Sequence, residues 1–158
     1  MLDFPLHVYT LDEFNAARKA IASGYKHRLT ITGSQSFRQR AQKILCLIEL
    51  AGYSDYLRTY IREIKEVDGL GQLREAEATI WLNSFHLADP IEGARFVIQK
   101  ANQMQAYLEG KPWYILGELP AVRASIEFLR QLSMRLKDQE ERAQCDEAIR
   151  KWTEDKVT

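Results

Sequence analysis

The chain has 158 residues, 46% hydrophobic and 28% charged, which is long enough to bury a core and too apolar for a disordered segment. Its longest nearly apolar run, residues 44–52, is interrupted by Glu49 and falls far short of a membrane span. The formal net charge is zero but uneven: residues 14–48 contain no Asp or Glu and seven cations, leaving a formal −7 on the rest of the chain.

Residues 6–10 (LHVYT) and 27–32 (HRLTIT) alternate and carry β-branched or aromatic side chains, so both are expected to be short strands. Between them Leu11, Phe14, Ala17 and Ile21 recur at helical spacing. Thr10 and Glu13 form a capping-box pattern at the start of that helix, and Gly24 closes it. Strand, helix and strand in this order predict a small parallel crossover.

After Ser34 the pattern turns helical. Phe37, Ala41, Ile44, Leu45 and Ile48 form one stripe that ends near Gly52. A second long helix is expected from Ser54 to the Asp68-Gly69 stop, with Leu57, Ile61 and Ile64 inward and Tyr53, Tyr56 and Tyr60 beside them, at least half buried. A third is expected over residues 72–84. Asp89 followed by Pro90 is a strong helix start, and Ile91, Ala94, Val97, Ile98, Ala101, Met104 and Leu108 continue it to Gly110. Residues 113–116 fit a third strand. Pro120 then opens a helix carrying Val122, Ile126, Leu129 and Leu136, and a charged helix follows over residues 139–152. The helical pairs share no signature positions at periods of about 34 or 40 residues, which argues against a repeat array.

The chemically sharpest stretch is residues 30–40, TITGSQSFRQR, where a strand runs into a helix through Gly-Ser-Gln-Ser. A helix N-terminus offers unpaired N–H groups and positive potential, and a glycine loop lets backbone approach a phosphate. Gly33, Ser34, Gln35, Ser36 and Arg38 are therefore the expected anion-binding residues. Arg40 lies on another face of the helix, about 200° from Arg38. The stretch lacks the Lys-Ser/Thr of a P-loop and the spacing of a dinucleotide fingerprint. The alternative is that Ser34 only caps the helix and Gly33 only permits the turn. Arg18, Lys26, Arg28, Arg40 and Lys43 extend the basic surface, and Arg58, Arg62 and Lys65 are expected on a helical stripe, interleaved with Asp55, Glu63 and Glu66.

His7, His27 and His86 are scattered without metal-ligand spacing, and Cys46 and Cys145 are isolated on predicted helices. With no leader pattern in MLDFP, a reduced cytoplasmic setting is expected. One domain is expected over 1–158, of α-rich α+β class: a β-α-β unit over 1–33, a helical core over 34–110, and a short strand or loop with a helical hairpin over 111–158. The β-α-β unit is expected to precede about five helices in antiparallel hairpins. The expected function is non-catalytic binding of an anionic partner, nucleic acid or a phosphorylated ligand, by the basic N-terminal face, with no cofactor, metal or membrane involved. The alternative is a helical interaction or scaffold protein acting as a homodimer, with the basic face of one copy against an acidic helical face of another. An enzyme acting on a phosphorylated small molecule at residues 33–38 is the third reading.

Overall fold

The capping box at the first helix forms as the spacing predicts. In the computed structural model, which describes residues 3–111 and 118–157, the Thr10 hydroxyl accepts from the Glu13 amide while the Glu13 carboxylate accepts from the amides of Tyr9 and Thr10. Helix α1 (Leu11–Ala22) follows and closes at Gly24, whose φ of 90° suits glycine. Strand β1 (Thr30–Thr32) leads into α2 (Gln35–Leu50) and then α3 (Ser54–Tyr60). The chain next forms β2 (Glu63–Glu66), β3 (Gln72–Arg74), a 3-10 turn (Glu75–Glu77) and β4 (Thr79–Leu82). Helices α4 (Ser84–Ala88), α5 (Pro90–Leu108), α6 (Glu118–Arg135) and α7 (Gln139–Val157) complete it.

The class is α-rich α+β: among the described residues seven α-helices accompany one four-stranded mixed sheet of order β1-β2-β4-β3. β1 pairs in parallel with β2, and β2 with β4, whereas β3 runs antiparallel to β4. The parallel crossover therefore uses α2 and α3, not α1.

Three expectations fail here for physical reasons. Residues 6–10 form no strand. They lie in an extended strap whose inward anchors are Phe4 and Val8, not the alternating set, and Leu6 and Tyr9 face out. The expected long helix stops at Tyr60, where Ile61 turns extended at φ −118°, ψ 125°; β-branched Ile64 then stays buried through sheet pairing, and Ile61 is buried in the link before β2. Residues 72–84 also leave the helix, because Leu73, Ile80 and Leu82 bury at strand period and Ala78 turns the chain at φ 54°. The strand expected over residues 113–116 lies outside the described residues. The β-α-β unit expected over 1–33 is thus replaced by a sheet assembled from residues 30–82.

The buried core runs from Phe4 to Cys145. Its axis is α5, which contacts all six other helices and β3. Asp89 caps it as expected, accepting from the amides of Ile91 and Glu92, with Pro90 at the first helical position. Gly93 lets α4 and α5 meet closely: a β-carbon there would stand 2.5 Å from the His86 carbonyl and 2.6 Å from Ile44.

Candidate functional site

The junction between β1 and α2 is internally satisfied at its centre. The Ser34 hydroxyl caps the helix by accepting from the Phe37 amide at 3.1 Å. The Ser34 amide donates to the Glu66 carboxylate at 2.9 Å, so a carboxylate of the chain itself stands at that N–H. Arg38 turns back toward the same end, as expected, but donates to the Gly33 carbonyl at 2.8 Å. Gly33 is hemmed in by Phe37 and Glu66, each within 3 Å of where a β-carbon would sit. Gln35 and Ser36 are exposed in the first turn, and their amides bond nothing among the described residues.

Three of the other expected cations, Arg18, Arg58 and Arg62, hold backbone. Arg18 donates to the Leu108 carbonyl and covers the Phe14 ring. Arg62 is not on a helical stripe; it lies between α3 and β2, and its guanidinium donates to the carbonyls of Pro5, Leu6 and Glu77. Lys43 pairs with Glu141 of α7. Lys65 stands exposed on β2, so the stripe expected of Arg58, Arg62 and Lys65 does not exist. Lys26, Arg28, Arg40 and Lys65 bond no other side chain among the described residues.

Two of the expected cations do meet. Arg28, in the loop before β1, and Arg58, on α3, line one cleft of about 340 Å³ beside α2. Leu29, Leu45 and Leu57 form its apolar side, Gln42 and Ser54 its neutral polar side, and Glu49 is its one carboxylate. Arg58 is oriented from behind: its Nε donates to the His27 carbonyl at 2.9 Å and its own carbonyl accepts from the His27 amide. Its two terminal nitrogens bond nothing among the described residues. Neither guanidinium forms an ion pair with Glu49. The arrangement suits bidentate recognition of a small oxyanion, with room for an apolar body against the leucines.

The tyrosine side of α3 is closed to stacking. Tyr53, Tyr56 and Tyr60 pack edge to face along the core, Tyr53 against Phe128 of α6, and the Tyr56 hydroxyl bonds Gln105 and Asn102 of α5. Burial pushes the Tyr56 hydroxyl well above its ordinary range, so it stays protonated. All three rings are half-buried, as expected of residues bordering the Leu57 stripe.

Two features escaped sequence reading. Arg95 is 2% exposed on α5, where it pairs with Glu92, bonds Gln99 and Ser125, and lies over the Trp152 ring. Trp152 in turn donates to Glu92, so one guanidinium ties α5, α6 and α7 together. His27 is 1% exposed and neither ring nitrogen has a hydrogen-bond partner. Burial, with the Arg62 cation beside it, lowers its pKa to about 4. Nothing in the spacing of a lone His or Arg reveals such burial, which depends on residues distant in sequence, such as Phe4 for His27 and Ser125 and Trp152 for Arg95. No group of three metal-ligating side chains comes together among the described residues, and no helix there is long and apolar enough to cross a membrane. Cys46 is exposed, while Cys145 is buried and donates to the Leu129 carbonyl; burial pushes its thiol up to about 11.

No family model, no curated protein and no solved structure matches this chain.

Proposed function

We propose that this chain is a non-catalytic binding protein for a small phosphorylated ligand, held at the Arg28–Arg58 cleft. One observation supports this above the others: two guanidiniums from segments 30 residues apart share a single concave cleft and neither is neutralised by a carboxylate. The volume falls in the roughly 300–1,000 Å³ range of small-molecule sites. A nucleic acid needs a run of free cations along a face, and Arg18, Arg38, Arg62 and Lys43 are engaged within the chain. The Gly33–Arg38 junction is not among the residues lining this cleft, and within it only the Gln35 and Ser36 amides stay open.

Titration calorimetry with pyrophosphate and a nucleoside monophosphate at low salt tests it. Wild type is expected to bind at least one of them, with a shallow salt dependence. Arg28→Ala is expected to weaken binding roughly ten- to a hundredfold, matching the 1.5–3 kcal/mol of a charge-assisted hydrogen bond. Absence of binding by wild type, or equal binding by the variant, overturns the reading.

A second reading has its own support. Leu6, Tyr9 and Leu11 are 76%, 64% and 71% exposed within six residues, an apolar cluster suited to self-association. A homodimer through this surface is expected to survive high salt in sedimentation experiments, and a monomer at every concentration excludes it.

A further inference from the structure

We infer that residues 3–9 are an acid-released strap, latched over the His27 ring by Phe4 and let go when that ring gains a proton.

The strap has no secondary structure and few attachments. The Val8 amide donates to the Ala76 carbonyl at 2.9 Å, and the Val8 carbonyl accepts from the Tyr107 hydroxyl. Arg62 holds the carbonyls of Pro5 and Leu6. Phe4 is the inward anchor: its ring meets His27 edge-on at 4.6 Å, stacks with Tyr25 at 6.0 Å and lies under the Arg62 guanidinium at 5.5 Å. Tyr25 closes the other side of His27 edge-on at 5.1 Å.

His27 is therefore a titratable ring sealed in an aromatic cage with both nitrogens unpartnered. A neutral imidazole tolerates this at moderate cost. An imidazolium does not, since it would bury two N–H donors and a charge with nothing to receive them. The charged groups around it offer no relief. Arg62, from the link between α3 and β2, is a cation and opposes protonation. Arg58 of α3 reaches only the His27 backbone. The flanking Lys26 and Arg28 are cations too. Glu63 of β2 bonds Thr32, the Glu77 group nearest Arg62 is its backbone carbonyl, and Asp3 on the strap is exposed. No carboxylate forms an ion pair with the ring among the described residues.

Protonation must then open the cage. Of its walls, Tyr25 and Arg62 are tied by their amides to the Ala20 carbonyl of α1 and the Ala78 carbonyl before β4. Phe4 alone sits on a segment held by single bonds. A charged His27 also repels Arg62, the residue that holds two of the strap's carbonyls. Lifting the strap lets water reach the ring and restores its ordinary pKa of about 6.5. Between that value and the closed-state pKa of about 4, each unit of acidification favours the open strap by up to tenfold.

Hydrogen exchange on the full chain, corrected for the intrinsic pH dependence of exchange, reads this directly. From pH 6.5 toward 4, protection of the Val8 amide is expected to fall by up to tenfold per unit while the Ile98 amide of α5 holds. In His27→Phe, which fills the cage with a ring that does not titrate, Val8 protection is expected to stay flat. Flat protection in wild type, the same fall in the variant, or parallel loss at Val8 and Ile98 overturns the proposal. If His27→Phe does not fold, the wild-type ring decides by NMR titration: a midpoint far below 6.5 supports the latch, and one near 6.5 overturns it.

Discussion

Arg95 shows how one side chain can organise a helical layer. Its guanidinium is almost wholly out of water, so its charge depends on Glu92 and its remaining donors on Gln99 and Ser125. Glu92→Gln keeps the shape but leaves that charge without a counter-ion; the expected loss is about 1–3 kcal/mol in urea denaturation, below that of a wholly buried pair because Glu92 is partly exposed. An unchanged midpoint would mean that Gln99 and Ser125 suffice. Ser34 makes the opposite point. Its capping role was legible because a cap and its helix are adjacent in sequence. The Glu66 carboxylate on its amide was not, because residues 34 and 66 meet only when β1 pairs with β2.

Among the elements, α5 has the clearest start signal and carries the sharpest tests. Asp89→Ala removes the acceptor of two amides and is expected to cost about 1 kcal/mol. Gly93→Ala is expected to cost more, roughly 1–3 kcal/mol, because the new methyl meets the fixed His86 backbone as well as Ile44. Thermal melts of both variants give the order; a more stable Gly93→Ala would show that α4 can move. Long helices such as α2, α5 and α6 were legible because apolar residues repeat over many turns. Strands β2 and β4, four residues each, were not. Leu57, Ile61 and Ile64 have the spacing of a helical stripe, yet Ile64 also satisfies a strand, and only the neighbouring strands decide between the two. Residues 6–10 show the converse: alternation was present, but the segment joins neither edge strand and bonds backbone near the sheet only from Val8 to Ala76.

For the molecule as a whole, the charge asymmetry is in part an internal device. Of the seven cations in the acid-free window, Arg18 and Arg38 clamp carbonyls and Lys43 pairs with Glu141, while Arg28 meets Arg58 at a cleft. Acid stability follows from the buried His27. Its pKa is about 4 when folded and near 6.5 when free, so the unfolded chain binds the extra proton between those values. This contribution is complete above pH 6.5 and is lost as pH falls toward 4. Relative to His27→Phe, wild type is expected to lose up to about 2 kcal/mol between pH 7 and pH 5, and less where the strap lifts first. Urea midpoints at the two pH values check it, and equal losses in both proteins would count against the buried ring. The two cysteines, finally, make a clock. An aromatic disulfide reagent at neutral pH should titrate Cys46 within seconds, giving one equivalent of released chromophore. Cys145, whose thiol faces the Leu129 carbonyl between α7 and α6, reacts only when those helices part. The second, slow equivalent therefore times the opening of the C-terminal hairpin without any added label.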